Sequence, residues 1–358
     1  MEGDMLRRSW SFLLVAALAV TACEGPEGPT GPSGAAGAAG AAGPAGPAGL
    51  AGTDANETCT DCHVNDMTLY AKQQQFAQSD HGFEYYTRAS GICVNCHTHQ
   101  GFLARVTTGS WNEAAWETDD FIVDAMPMNC RTCHQIHTTY TGADFAFNVQ
   151  GPVAFYIGGE SRDLGPAANL CASCHQQRPL RARYGDLPVI DGADVTILSS
   201  GWGPHYNMEG NMFAGFGFYD FGSDIGGMSS HGTDPRSRGC PTCHMAENNN
   251  LAEGGHTFVP STEGCETCHT HTDDFDRFGG QTAVTALLEE LAPLLEASGI
   301  MYWQESRSRW RANTGTFPAN TAAAFWNYLG VVNDGSLGVH NPHYVMGLLN
   351  ASIDEMGG

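Results

Sequence analysis

Positive charge is scarce in this chain. Its 358 residues include 16 lysines and arginines against 39 acidic residues, a formal net charge of −23. That balance excludes nucleic acid as a natural partner, because phosphate backbones are held by clustered cations. If the acidity steers docking, the partner is cationic, a basic protein or a positively charged mineral surface; otherwise it serves solubility. Long apolar runs are scarce too. The stretch from Trp10 to Val20, preceded by Arg7 and Arg8, has the length of a signal-peptide core and is short for a bilayer span. A start at Met5 would give a conventional Met-Leu-Arg-Arg opening. Regular periodicity is poor, and Gly215 to Tyr219 and Gly222 to Gly232 read as loops.

Unpatterned cysteine is nearly absent. Twelve of the 13 cysteines fall in six copies of Cys-x-x-Cys-His: Cys59/Cys62/His63, Cys93/Cys96/His97, Cys130/Cys133/His134, Cys171/Cys174/His175, Cys240/Cys243/His244 and Cys265/Cys268/His269. This is the attachment signature of c-type haem. Two thiols add across the two vinyl groups of one porphyrin, and the histidine that follows lies beneath the iron as proximal ligand. Bare Cys-x-x-Cys pairs also build zinc sites or thiol-disulfide centres, but neither requires histidine in the fifth place. Six covalent haems are expected, and their attachment places the chain outside the cytoplasm.

The remaining cysteine, Cys23, follows Val20-Thr21-Ala22. That sequence resembles a bacterial lipobox, so residues 1–22 read as a signal peptide and Cys23 as the lipidated first residue of the mature chain. From Gly25 to Gly52 glycine recurs at every third position, with Pro and Ala between. Such a collagen-like repeat can form a homotrimeric triple helix or act as an extended tether. The proline-poor middle triplets favour the tether, here residues 23–53, whose roughly 29 repeat residues would reach on the order of 90 Å as polyproline II.

Residues 54–278 then read as a hexahaem domain and 279–358 as a helical C-terminal segment that packs on it and supplies a ligand. The expected fold class is a mostly irregular and α multihaem cytochrome, with a core packed by haem and little strand. Thr282 to Ala297 carries Val284, Leu287, Leu288, Leu291 and Leu295 at helical spacing, with Pro293 as a kink. Pro318 to Leu329 reads as a second helix stopping at Gly330, and Asn341 caps a third running to about Ile353.

Phe76 to Phe102 resembles the opening of many exported bacterial multihaem cytochromes, as do GWGPHYNMEGNMFAG, SSHG before CPTCHMA, GGHTF, CETCHTHTDDFD and FWNYLGVVNDGSLGVHNPHY. The later part is also similar to the superfamily of ammonia-forming nitrite reductase and hydroxylamine oxidoreductase. The resemblance implies distal iron ligands at His81, His205, His231, His256 and His340, with His137 in the place of a common partner histidine. His99, His271 and His343 are then spare.

The lysine-ligated Cys-x-x-Cys-Lys motif of the nitrite reductases is absent. Six bis-histidine irons would offer no open position for chemistry. The first expectation is therefore an extracytoplasmic carrier that passes electrons between redox partner proteins, or to an extracellular acceptor. A reductase or oxidase of a small nitrogen or sulfur compound and a subunit of a cytochrome filament are the alternatives.

Overall fold

The computed structural model describes residues 67–357 apart from 84–86, 110–121, 123, 179, 248–251 and 271–272. The signal segment, Cys23, the tether and the first attachment motif (Cys59, Cys62, His63) lie outside the described residues, as does His271.

Most elements are short helices, and several of them carry the Cys-x-x-Cys-His motifs. Helices α1 (Met67–Gln78), α2 (Val94–His97), α3 (His99–Thr108), α4 (Cys130–Cys133), α5 (Pro166–Ala172), α6 (Glu209–Ala214), α7 (Ser230–Thr233) and α8 (Cys240–His244) are short. Strands are sparse, two to four residues each. They are β1 (Val153–Ala154), β2 (Ser161–Arg162), β3 (Val195–Ile197), β4 (Met301–Gln304), β5 (Arg309–Ala312) and β6 (Gly315–Phe317). Three antiparallel pairs, β1 with β2, β3 with β6 and β4 with β5, leave the fold mostly helical and irregular, as the sequence implies. The second expected loop is interrupted, because Ser229 accepts from His231 N and starts the single turn of α7.

The C-terminal helices α9 (Gly280–Ala297), α10 (Ala319–Asp334) and α11 (Pro342–Glu355) fall where helical spacing puts them. Helix α9 buries Val284, Leu288, Leu291 and Leu295, with Leu287 at the margin, and runs on through Pro293. Each such leucine contributes about 1.5–3 kcal/mol when fully buried. Their cluster also takes Phe325, Trp326, Val331, Leu348 and Leu349, so a side-chain core stands here in addition to whatever porphyrin packing supplies. Sequence periodicity misses the β4–β5 hairpin inside this segment, where Trp303 opposes Trp310 with ring centres 5.4 Å apart. Nor does it foresee that β6 pairs with the distant β3, Val195 opposite Phe317.

Helix α10 corrects the expected stop at Gly330, since it continues to Asp334 and ends at Gly335 in the left-handed region, φ 71°. Glycine at 330 answers a packing need: a Cβ there would lie 2.2 Å from the Phe218 ring. Phe218 is held in place, its backbone N–H donating to the Tyr344 hydroxyl at 3.3 Å. Gly330→Ala should therefore destabilise the holoprotein by about 1–3 kcal/mol, the usual cost of overpacking, measurable as a lower thermal midpoint.

Two buried asparagines fasten this core to the loop that leads to the haem motifs. Asn327 accepts from Tyr219 N at 3.0 Å and donates to Tyr219 O at 2.6 Å and Ser352 Oγ at 3.1 Å. Asn341 caps α11 by accepting from Tyr344 N at 3.3 Å, and its amide donates to Gly227 O at 2.9 Å. Buried amides satisfied at both ends specify one docking geometry.

Candidate functional site

The five described attachment motifs each lie on or at the end of a short α or 3-10 helix, and their spacing is the reason. Residues i, i+3 and i+4 share one helical face, so one turn presents both thiols and the imidazole together. His134 N donates to Cys130 O at 2.9 Å, His175 N to Cys171 O at 2.9 Å and His269 N to Cys265 O at 2.7 Å. Asn129 caps the second described turn, accepting from Arg131 N at 3.0 Å while Thr132 Oγ1 accepts from Asn129 N at 3.0 Å.

Four of these histidines face a second histidine from a distant segment. Ring centres are 6.3 Å apart for His97 and His205, 6.4 Å for His134 and His256, 6.2 Å for His244 and His340, and 5.9 Å for His175 and His81. Two imidazoles bound on opposite faces of one iron, each nitrogen about 2 Å from the metal, would have ring centres roughly 6.3 Å apart. The four separations fit an iron porphyrin between each pair. His231 lies near enough to His269 to lower its pKa, after the larger effects of burial and Arg277. His137 instead stacks on Tyr140 at 5.5 Å with a left-handed backbone, φ 66°. Of the spare histidines, His99 is buried with Nδ1 3.0 Å from Thr132 Oγ1, and His343 is exposed in the first turn of α11.

The ring nitrogens not needed by a metal are occupied. His134 Nδ1 donates to Phe145 O at 2.7 Å, His244 Nδ1 to Phe258 O at 2.8 Å and His231 Nδ1 to Val339 O at 2.9 Å. A proton fixed on Nδ1 leaves Nε2 as the free donor and holds the ring orientation, the usual outer-sphere arrangement of a metal-bound histidine. Phe258 serves twice, since its ring also meets His81 edge-on at 4.7 Å.

Two rings rest on carboxylates instead. His175 Nδ1 lies 3.1 Å from Glu209 Oε2, and His340 Nδ1 lies 2.7 Å from Asp334 Oδ1. Burial lowers both imidazoles, but these carboxylates reverse it and push each up to about 9. By contrast burial, first among the causes, drives His81 down to about 4, His205 to about 3 and His256 to about 4. Those three are neutral at ordinary pH, the state in which imidazole ligates a metal. Sequence reasoning missed Glu209 and Asp334. Asp334 stands six residues before His340, a spacing with no motif attached, and Glu209 is far from His175 in the chain.

The thiols also locate the motifs relative to one another. Cys96 lies beside Cys174, Cys171 beside Cys240, and Cys243 beside Cys265, each pair near enough for one sulfur to perturb the other. Cys133 is also near Cys174. The turn of Cys171 and Cys174 therefore borders three other attachment turns, and the turn of Cys240 and Cys243 leads on to a fifth. Among the described residues no three or more His, Cys, Asp or Glu side chains gather to hold a bare metal ion, as a zinc site demands.

Residues 52–149, which include the first three attachment motifs, match the family described as cytochrome c3. That match covers about a quarter of the chain, and together with the repeated Cys-x-x-Cys-His motifs it supports a multihaem c-type cytochrome, a class that holds iron porphyrin covalently. Among solved structures the chain is similar to the crystal structure of Outer Cell Wall Cytochrome OcwA, with 17% identity and a TM-score of 0.49 over 80% of this chain and 50% of that one. The chain thus spans about half the length of that cytochrome. No curated protein matches it. Among the described residues no helix is long and apolar enough to cross a membrane.

Proposed function

We propose that the chain is an exported hexahaem electron relay, anchored by lipid on Cys23 and held off its membrane by the collagen-like tether. The four histidine pairs at 5.9–6.4 Å beside four attachment turns carry this reading, because the separations match two imidazoles sharing one iron. Bound haem would supply reversible one-electron exchange at iron.

The chain's residues do the rest. Cys93 and Cys96, Cys130 and Cys133, Cys171 and Cys174, Cys240 and Cys243, and Cys265 and Cys268 fix the porphyrins, as Cys59 and Cys62 would in the first motif. His97 with His205, His134 with His256, His175 with His81 and His244 with His340 would hold iron between them, and His231 is the candidate partner of His269. Irons held on both sides would offer no site for a substrate, which favours carrying electrons over transforming a small molecule.

The neighbouring thiols set the route. The Cys171/Cys174 turn adjoins the turns of Cys96, Cys133 and Cys240, which makes it a junction rather than a link in a single file. Redox partner proteins or an extracellular acceptor would meet the outlying sites.

The test is haem stoichiometry and low-temperature EPR on the oxidised, purified protein. Six haems per chain, all low-spin, are expected. A high-spin ferric signal that shifts on addition of nitrite or hydroxylamine would instead reveal an open iron and a reductase.

A further inference from the structure

A chain so short of cations concentrates four of its 16 basic residues around one cavity. The cavity, about 390 Å³, is lined by Arg178, Arg307, Arg309 and Arg311 together with Tyr206 and His205. No acidic side chain lines it. None of the four arginines forms an ion pair among the described residues.

Their placement follows from the hairpin. Arg309 and Arg311, two residues apart on β5, share one face of the strand, and Arg307 closes the turn before them. Arg311 Nη2 donates to Ser200 Oγ at 3.2 Å, and Arg309 Nη1 donates to the Tyr206 hydroxyl. The Nε atoms of Arg178, Arg309 and Arg311 are nevertheless buried with no acceptor. Burying a charged donor without an acceptor is costly, and several guanidiniums around one space repel one another. An anion in the cavity removes both costs, and the planar guanidinium fork suits carboxylate and other oxyanions. The cavity also adjoins an attachment motif: His205 faces His97, and Arg178 lies near Cys93 and Cys96.

We infer that this arginine cavity is an oxyanion-binding site at the edge of the His97/His205 haem. It rests on the relay reading for its haem neighbour, though the arginines themselves do not. Two sources present the same chemistry, the carboxylates of that haem or a free polyanion drawn from outside, such as a small carboxylic acid or a reducible oxyanion.

The experiment uses the intact holoprotein, the variant Arg309→Gln/Arg311→Gln and the charge-preserving variant Arg309→Lys/Arg311→Lys. Citrate and inorganic phosphate are titrated calorimetrically, and reduction potentials are read by spectroelectrochemistry. Saturable binding to the native protein that weakens about tenfold in the glutamine variant, as loss of charged hydrogen bonds predicts, and is largely kept with lysine supports the site with a free oxyanion as ligand. Absence of saturable binding, together with a lower potential for one haem in the glutamine variant alone, supports the site with the haem carboxylates as ligand. Equal anion binding and equal potentials in all three proteins overturn the inference. Should the glutamine variant fail to fold, the native titration and the lysine variant decide: no saturable anion binding and lysine-variant potentials equal to native overturn it. A native protein with fewer than six haems defeats the relay reading separately, since anion binding is measured without reference to haem number.

Discussion

Replacing Cys171 and Cys174 together with alanine should split electron flow through the protein, the largest functional loss expected of any pair of substitutions. The affected turn borders those of Cys96, Cys133 and Cys240, so its removal isolates the remaining sites from one another. Stopped-flow reduction by a small donor should change from a nearly uniform course to at least two populations, one slower by orders of magnitude. Cys265→Ala/Cys268→Ala is the control, because that turn borders Cys243 and stands at the end of the series. It should remove one haem's amplitude and leave the rest fast. If the two variants behave alike, the junction does not exist. Loss of a porphyrin also removes packing surface, and metal binding is coupled to folding in such domains, so both variants are compared at matched folded fractions.

The second large effect concerns potentials. Glu209→Gln and Asp334→Asn should each raise the reduction potential of one haem, those of His175 and His340 respectively. A carboxylate drawing on the Nδ1 proton makes the ring a stronger donor and favours ferric iron; an amide at the same place accepts a weaker, neutral hydrogen bond. Charge-assisted and neutral bonds differ by about 1.4 kcal/mol, which for one electron is about 60 mV. Asp334 is only 6% exposed and its bond the shorter, 2.7 Å against 3.1 Å, so its variant should move further. Potentiometric titration with haem-resolved spectra measures both, and unchanged midpoints would show that the carboxylates only position the rings.

The legible and the illegible parts of this molecule divide by sequence distance. Cys-x-x-Cys-His is local, because one helical turn carries its chemistry, and the α9 stripe of Val284, Leu288, Leu291 and Leu295 is local in the same sense. Asn341 with Pro342 announces its helix for a similar reason. The pairing of His97 with His205 or His134 with His256 joins segments roughly a hundred residues apart, and no pattern in either segment names its partner. Glycine misled the reading of α10, because at Gly330 it signals the approach of Phe218 and not an ending. The arginines of β5 were hidden by the overall acidity, since a net charge says nothing about where the few cations gather.

The angles between the paired rings have a consequence of their own. His244 with His340 and His134 with His256 are nearly coplanar, at 27° and 32°, whereas His97 with His205 and His175 with His81 are crossed, at 66° and 81°. Imidazole orientation sets how the iron d-orbitals split, so coplanar and crossed pairs have distinct magnetic anisotropies. With iron between each pair, the parallel and the crossed sites would give two separate families of signals in a paramagnetic spectrum, and a redox titration of one unlabelled sample should show in which order the two families fill.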